Sequence, residues 1–455
     1  MSFTSRIATS NPSTTSLAVV IPTRNRADLA IKAIRSALDQ PGFPLQVLVS
    51  DNSSRPEDVR RLEDFCRRLG DARLVYMRPP ELLPMPAHWD WAMQQALERT
   101  DASHFTIHYD RKVSKPGHLS LVSQVAARYP HQVLTFIVDL VMEDPPPAVL
   151  YQPPWTGKVY EIQTSRVLEM TSHGMINEMG QAFPVMSNCI IPRRVLEEIQ
   201  DRFGNICNST GPDACFTYRY CSLNDSYLHF DRPLGIVHAS HRSNGLGYLR
   251  GRTSGDFGDF LNSWGDKPWL DAAPIPGMNL GQNILFHEYV LVQRAVGDQN
   301  LPPIEMDGYM RGLATGLQWV EEPRMRAAMR AVLEKHGWRE EIELAAPAVL
   351  TEVAIEAAKT RRPLYRRLTP GRLLAAVRAR VHNRWWLTKS RQGFVLFLAD
   401  YFGIKPPHIH CFTFSSNEEA VRYALTYPRR PEMEDPYIQV LEPSEVDFTF
   451  PRTRV

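Results

Sequence analysis

Two short apolar runs, each ending abruptly in polar residues and separated by a single helical pattern, constrain this chain most. The first is L-A-V-V-I-P-T-R-N-R, Leu17 to Arg26, and the second is V-L-V-S-D-N-S-S, Val47 to Ser54. Continuous Val/Ile-rich runs of this length are the pattern of strands buried on both faces, as in a parallel sheet. Between them Leu29, Ile31, Ala33, Ile34, Ala37 and Leu38 are spaced for one apolar face of a helix over 27–40, which Pro41-Gly42 stops. The unit is therefore βαβ. Ligands of open α/β sheets sit outside the carboxyl ends of the strands, so Pro22, Thr23, Arg24, Asn25 and Arg26 are expected to line one pocket with Asp51, Asn52 and Ser53.

The chain has 455 residues, enough for two or three domains. Lys plus Arg number 52 against 50 Asp plus Glu, a formal net charge of +2, so no global field points to nucleic acid and any electrostatic function must be local. Residues 1–16 form a Ser/Thr-rich leader without the apolar core of a secretion signal, and no apolar run is long enough to span a bilayer. A cytoplasmic protein is expected. The six cysteines form no C-x-x-C pair or zinc spacing and read as reduced structural thiols.

The strand ends resemble the start of the inverting family 2 glycosyltransferases with the GT-A fold. In that family the first strand ends in Pro-Thr-x-Asn-Arg, here Pro22 to Arg26, and the second in Asp-Asp-x-Ser, here Ser50-Asp51-Asn52-Ser53 with Ser in place of one acid. The resemblance puts Asp51 where uridine-nucleotide-using members contact the base, and a carboxylate there would accept a charge-assisted hydrogen bond from an imide N–H. The plain alternative is a turn after a strand. The implied fold class is α/β, GT-A: a Rossmann-like, mostly parallel central sheet flanked by helices, with a mainly helical C-terminal region.

A helix over 56–69 and a strand over 73–78 are expected next, followed by M-P-A-H-W-D-W-A-M-Q-Q-A-L, Met85 to Leu97, with Trp89 on its core face and His88 either toward a donor or on the surface. The stretch His104 to Leu119 departs from the resemblance. Relatives carry two or three aspartates there that hold Mg²⁺ or Mn²⁺ on the diphosphate, whereas this chain has Asp110 alone, with Tyr109 before it and Arg111 and Lys112 after it. Two readings stay open. Asp110 holds a metal with phosphate and water completing the shell, or Arg111 and Lys112 neutralise the leaving diphosphate directly. A decayed, non-catalytic site is the third.

Further on, a helix over 120–128 and a buried strand over 133–141 are expected, then a Pro-rich loop over 143–157. In Phe183 to Ile199 the resemblance makes Ser187 and Asn188 acceptor-side contacts. In Gly211 to Cys221 it puts an acid at a helix start, here Asp213. Inverting transfer needs a base to take the acceptor hydroxyl proton, and Asp213 is the candidate; a helix N-terminal carboxylate without catalytic role is the alternative. The helix dipole is expected to lower its basicity. A strand over 227–230, a turn at Asp231-Arg232-Pro233 and a second strand precede His238, a candidate late metal or phosphate ligand with a structural histidine as the alternative.

The resemblance covers about 17–245, and it implies a nucleotide-sugar and acceptor domain over 17–250. Residues 251–283 read as a linker or acceptor loop, 284–400 as a helical region, and 401–455 as a short strand, a helix and a Pro-rich tail. Within 359–391, Arg361, Arg362, Arg366, Arg367, Arg372, Arg378, Arg380, Arg384 and Lys389 alternate with apolar residues and no acid interrupts them. Such a segment fits an anionic membrane surface, a solvated helix face or an internal docking surface. What the resemblance implies is transfer of a sugar from a nucleoside diphosphate, uridine favoured, to a glycan or lipid-linked acceptor in surface polysaccharide synthesis. A binding or scaffold module derived from such an enzyme is the second reading. A nucleotidyltransferase is the weakest, because no Gly-rich phosphate loop follows the first strand.

Overall fold

The computed structural model describes residues 15–40, 45–142, 148–152, 155, 157–238, 240–249, 255–264, 270–297, 301–317, 320–338, 410–414, 416, 419–421 and 439–441. The βαβ unit is present as β1 (Leu17–Thr23), α1 (Ala27–Leu38) and β2 (Leu45–Asp51). Every residue of β1 is buried, because alternate side chains enter two different cores. Leu17, Val19 and Ile21 join Val47 and Val49 under Ala30, Ala33, Ile34 and Ala37 of α1 and Leu62 and Phe65 of α2 (Pro56–Leu69). Ala18, Val20 and Leu48 face the other way, against Trp89, Met93 and Ala96 of α3 (Met85–Arg99). Each Val, Leu or Ile so buried contributes roughly 1.5–3 kcal/mol relative to exposure. Helix α2 starts with Pro56 in its first turn and ends at Gly70 in the left-handed conformation, φ 61°.

Strands β3 (Leu74–Met77), β2, β1 and β4 (His104–Ile107) run parallel in that order. Past β4 the pairing changes hand. After β5 (Lys112–Ser114) and α4 (His118–Arg128), β6 (Leu134–Met142) is reached through β9 (Cys189–Pro192), which lies antiparallel to both β4 and β6. Beside β6 lie antiparallel β7 (Ala148–Gln152) and parallel β10 (Ser226–Val237); β8 (Val159–Gln163) pairs antiparallel with β10. Two late strands complete the sheet: β11 (His410–Phe414) pairs with β7 and β12 (Gln439–Leu441) with β8. Helices α5 (Thr164–Ser172), α6 (Arg193–Phe203) and α7 (Pro212–Leu223) cover the α3 side.

Three local expectations are corrected. Asp231-Arg232-Pro233 is no turn: β10 runs through it, and its register against β6 shifts on both sides of Pro233. Proline has no N–H for the ladder, so the strand bulges there and continues. The Pro-rich stretch after β6 holds β7, whose residues are all buried. In 251–283, read as linker or loop, residues 255–264 are helical: α8 (Asn244–Leu249) is followed by α9 (Gly255–Trp264).

The helical region follows as α10 (Gly281–Val296), α11 (Met306–Leu317) and α12 (Pro323–Lys335), packed around Phe286, Tyr309, Leu313, Leu333 and Trp338. The basic segment 359–391 lies outside the described residues. Among the described residues no helix is long and apolar enough to cross a membrane, and Cys66, Cys189, Cys207, Cys215 and Cys221 are buried free thiols.

Helix α11 meets the end of α5 backbone to backbone. Glu305 N donates to Ser172 O at 2.8 Å, and a Cβ on Gly308 would run into the His173 carbonyl. Gly308→Ala should therefore destabilise the fold by about 1–3 kcal/mol through overpacking against immovable backbone, read as a lowered urea midpoint at unchanged slope.

Candidate functional site

The carboxyl ends of β1 and β2 open into a cavity of about 430 Å³. Its wall includes Pro22, Thr23, Arg24, Asn25, Arg26, Asn52, Tyr109, Asp110, Arg111, Ser187, Asn188 and Asp213, so these residues alone come from five segments of the chain. His88 and Trp89 of α3 and Phe257 and Phe260 of α9 complete it.

The turn after β1 is shaped by Asn25, which sits at φ 55°, a left-handed conformation that Asn tolerates better than most residues. Its backbone N–H donates to Ser53 Oγ at 2.8 Å, and its Oδ1 accepts from the N–H groups of Ser54 at 2.9 Å and Arg55 at 3.0 Å, ahead of α2. Asn52 similarly exchanges two bonds with the backbone of Leu83, Nδ2 to O at 2.7 Å and N to Oδ1 at 3.1 Å. The family-like Asn and Ser residues thus lock two strand ends together. Asp51 and Ser53 lie behind this wall. Asp51 is fully buried, its Oδ1 accepting from Ser53 N at 2.9 Å and its Oδ2 from the Tyr76 hydroxyl at 2.8 Å. Burial and the Asp51 charge hold the Tyr76 hydroxyl well above its usual pKa, so it stays a donor.

Asp110 lies on the cavity wall and is 3 % exposed. Thr23 Oγ1 donates to its Oδ2 at 2.9 Å, and Arg26 Nη1 is 3.5 Å from its Oδ1. Three arginines then strap down the segment that follows β10. Arg26 Nη2 donates to Asn244 Oδ1 at 3.4 Å. Arg111 donates to His238 O at 3.1 Å and to Ser243 Oγ at 3.0 Å, and Arg242 reaches back to Asn25 O at 2.8 Å.

Lys112 is not on the wall. It is fully buried beside the Phe136 ring, and its Nζ donates to Ser187 O at 2.6 Å and to Asn188 Oδ1 at 3.4 Å. Burial drives its pKa down to about 7, with the Asp213 charge among the groups acting in the opposite sense. A lysine so placed holds the Ser187-Asn188 turn from beneath and does not meet a diphosphate in the cavity. That turn in turn serves Asp213, whose Oδ1 accepts from Ser187 N at 2.9 Å. Asp213 sits one residue after Pro212 in the first turn of α7. The expectation that the helix dipole lowers its basicity is overturned: burial raises its pKa, outweighing the Ser187 hydrogen bonds and the Lys112 charge.

His238 is buried behind the wall, and burial lowers its pKa to about 4, so it is neutral at pH 7. Among the described residues no three His, Cys, Asp or Glu side chains gather to hold a metal ion, and Asp110 and His238 are not joined in such a group. His88, left open between donor side and surface, is buried on the cavity wall, its Nε2 2.7 Å from Ser50 Oγ, and burial lowers its pKa to about 3.

Glu288 was not foreseen. It lies buried on α10, and its Oε1 accepts from Ser209 Oγ at 2.8 Å and from the N–H of Gly211, the residue that caps α7, at 2.7 Å. It thereby sets where Asp213 begins its helix. An isolated acid in a helical pattern carries no sequence signal for this. Burial raises the Glu288 pKa from 4.5 to about 7. The folded state then holds a proton that the unfolded chain has lost, so this group's contribution to stability falls as pH rises from 4.5 to about 7 and is level above. Glu288→Gln keeps the accepting oxygen and should flatten that part of the pH profile; urea midpoints measured across the interval for parent and variant test it.

Residues 18–99 match the family model described as Glycosyl transferase family 2. No curated protein matches the chain. Among solved structures it is similar to the crystal structure of S. aureus TarS, at 13% identity over 72% of this chain and 55% of that one, TM-score 0.38. The chain thus spans little more than half the length of that TarS chain. It is also similar to TarS 1–349 in complex with UDP-GlcNAc, at 14% identity over 70% and 86% of the two chains, TM-score 0.37. The mannosyltransferase PcManGT from Pyrobaculum calidifontis, in complex with GDP-Man and Mn²⁺, matches at 12% identity over 73% and 83%, TM-score 0.35. These likenesses are distant, and the identification stops at residues 18–99, which contain both strand-end turns and match the model of glycosyl transferase family 2.

Proposed function

We propose that the chain transfers a sugar from a nucleoside diphosphate to an acceptor hydroxyl with inversion, in the cavity at the carboxyl ends of β1 and β2. The observation that carries this reading is that Asp213, with raised basicity, shares one cavity with the β1 turn and Asp110. Asp213 takes the proton from the acceptor hydroxyl as its oxygen bonds to the anomeric carbon, and the bond to the nucleoside diphosphate breaks on the opposite face. A carboxylate whose pKa is raised by burial is a stronger base than an ordinary one, which suits it to general-base work. Ser187 and Asn188 line the acceptor side, and Pro22 to Arg26, Asn52, Tyr109, Asp110 and Arg111 the donor side.

A uridine nucleotide is the favoured donor, and a glycan or lipid-linked molecule the favoured acceptor, in cell-surface polysaccharide synthesis. The basic segment 359–391 supports work beside the anionic inner face of a membrane. A carboxylate set closer to its usual range would lose this poise, and loss of the carboxylate altogether removes the base. Asp213→Asn should therefore lower transfer about 10²- to 10⁴-fold while nucleotide affinity, measured by calorimetry, stays within a factor of about two. Unchanged turnover would remove Asp213 as the base. A parent protein that binds nucleotide yet neither transfers nor hydrolyses sugar would instead be the non-catalytic module.

A further inference from the structure

We infer that the leaving diphosphate is met by guanidinium groups of Arg24, Arg26 and Arg111, and that Asp110 is the carboxylate that positions Arg26 and not a divalent-cation ligand. The inference rests on the glycosyl-transfer reading and concerns how its donor end handles charge.

The chemistry of the donor end does not fit a divalent ion. A hard cation needs several oxygen ligands, usually including carboxylates. The acids on the cavity wall among the described residues are Asp110, Asp213 and Asp259, which gather in no group that could hold a metal ion; one Asp110 oxygen takes the Thr23 hydroxyl and the other faces Arg26 at 3.5 Å. Arg24 and Arg111 line the same wall. Guanidinium groups from the β1 turn and from the residue after Asp110 disfavour a cation at that point and suit the pyrophosphate of a bound nucleotide sugar. The fixed geometry strengthens the case. Arg26 and Arg111 each hold a side chain of the segment after β10, at Asn244 Oδ1 and Ser243 Oγ, and both of those residues also line the cavity. A guanidinium has five N–H donors in a planar fork, so one that anchors a loop can also take phosphate oxygens side-on. Lys112, the other basic residue of this stretch, is spent beneath the Ser187-Asn188 turn.

As the glycosidic C–O bond breaks, its electron pair passes to the diphosphate oxygen and the negative charge there grows. Donors already oriented at that position stabilise the charge without reorganising.

The test is calorimetric titration of the full chain with uridine and guanosine diphosphates, in EDTA and in Mg²⁺ or Mn²⁺. The same nucleotide should bind within about threefold in all buffers, and Arg111→Gln and Arg24→Gln should each weaken it about tenfold or more whether or not metal is present. Arg24 holds no residue of the strap, so its variant keeps the test open if Arg111→Gln fails to fold. Asp110→Asn should lower affinity by the same factor in EDTA as in Mg²⁺, and adding Arg26→Gln to it should cost little more, because the two residues act as one unit. Independent structural effects would add. Binding that appears only with metal, or an Asp110→Asn loss confined to metal buffers, overturns the inference and leaves glycosyl transfer standing. No nucleotide bound in any buffer overturns both.

Discussion

The parallel register of β1 between β2 and β4 is the constraint on which the site depends. Thr23 lies opposite Asp51 and Val20 opposite Ile107, so all three strands end at one edge and the polar residues that follow them emerge together. One residue of slip in a sheet buried on both faces would send every apolar side chain of β1 into the wrong core. The two cores therefore hold the register, and the register brings the β1 turn, the β2 turn and the Asp110 segment within hydrogen-bonding reach. Thr23 meets Asp110 and Asn25 meets Ser53, Ser54 and Arg55 because of it.

Polar groups buried around this edge form relays that end in functional atoms. Lys112 binds the Ser187 carbonyl, and the Ser187 N–H binds Asp213. From the other side Glu288 binds the N–H that caps the Asp213 helix. Each of these three ionisable groups has its pKa moved by burial in the direction that favours its neutral form. The position of Asp213 thus depends on a helix some seventy residues later in the chain, which ties the helical region to the Asp213 side of the cavity. The arginine strap does the same for the Asp110 side: Arg26, Arg111 and Arg242 join the β1 turn and the Asp110 segment to the segment after the last long strand.

Much of the frame is legible in the sequence. The helix over 56–69 coincides with Pro56–Leu69, and the apolar pattern from Met85 lies within Met85–Arg99, because each carries its own start signal and its own periodic face. The patterns failed where a neighbouring strand supplied what the local residues lack. Pro233 reads as a turn, yet β10 continues through it because β6 accepts a shifted register. Residues 255–264 read as linker, yet Phe257 finds an aromatic partner in Tyr248, Phe260 stacks on Phe257, and the stretch packs as a helix on the cavity wall. The site divides in the same way. The Pro22 to Arg26 turn, Asn52, Asp110, Arg111, Ser187, Asn188 and Asp213 were legible as polar residues after strands or at a helix start, and they line one cavity. Asp51, Ser53, Lys112 and His238 were legible as polar but not as buried, because depth behind a wall depends on which residues cover it.

Sequence alone determined the βαβ start, the polar strand ends and the match of residues 18–99 to a family model, since these rest on period, punctuation and local turn chemistry. Only the tertiary structure decided what each polar residue does there. Burial set the basicity of Asp213 and Lys112, the Tyr76 hydroxyl took one oxygen of Asp51, the distant Gly211 N–H took one of Glu288, and Arg26 reached Asp110 across 84 positions of chain. Charge and hydrogen bonding act through space, and their strength depends on the water excluded around them, which no local run of residues encodes.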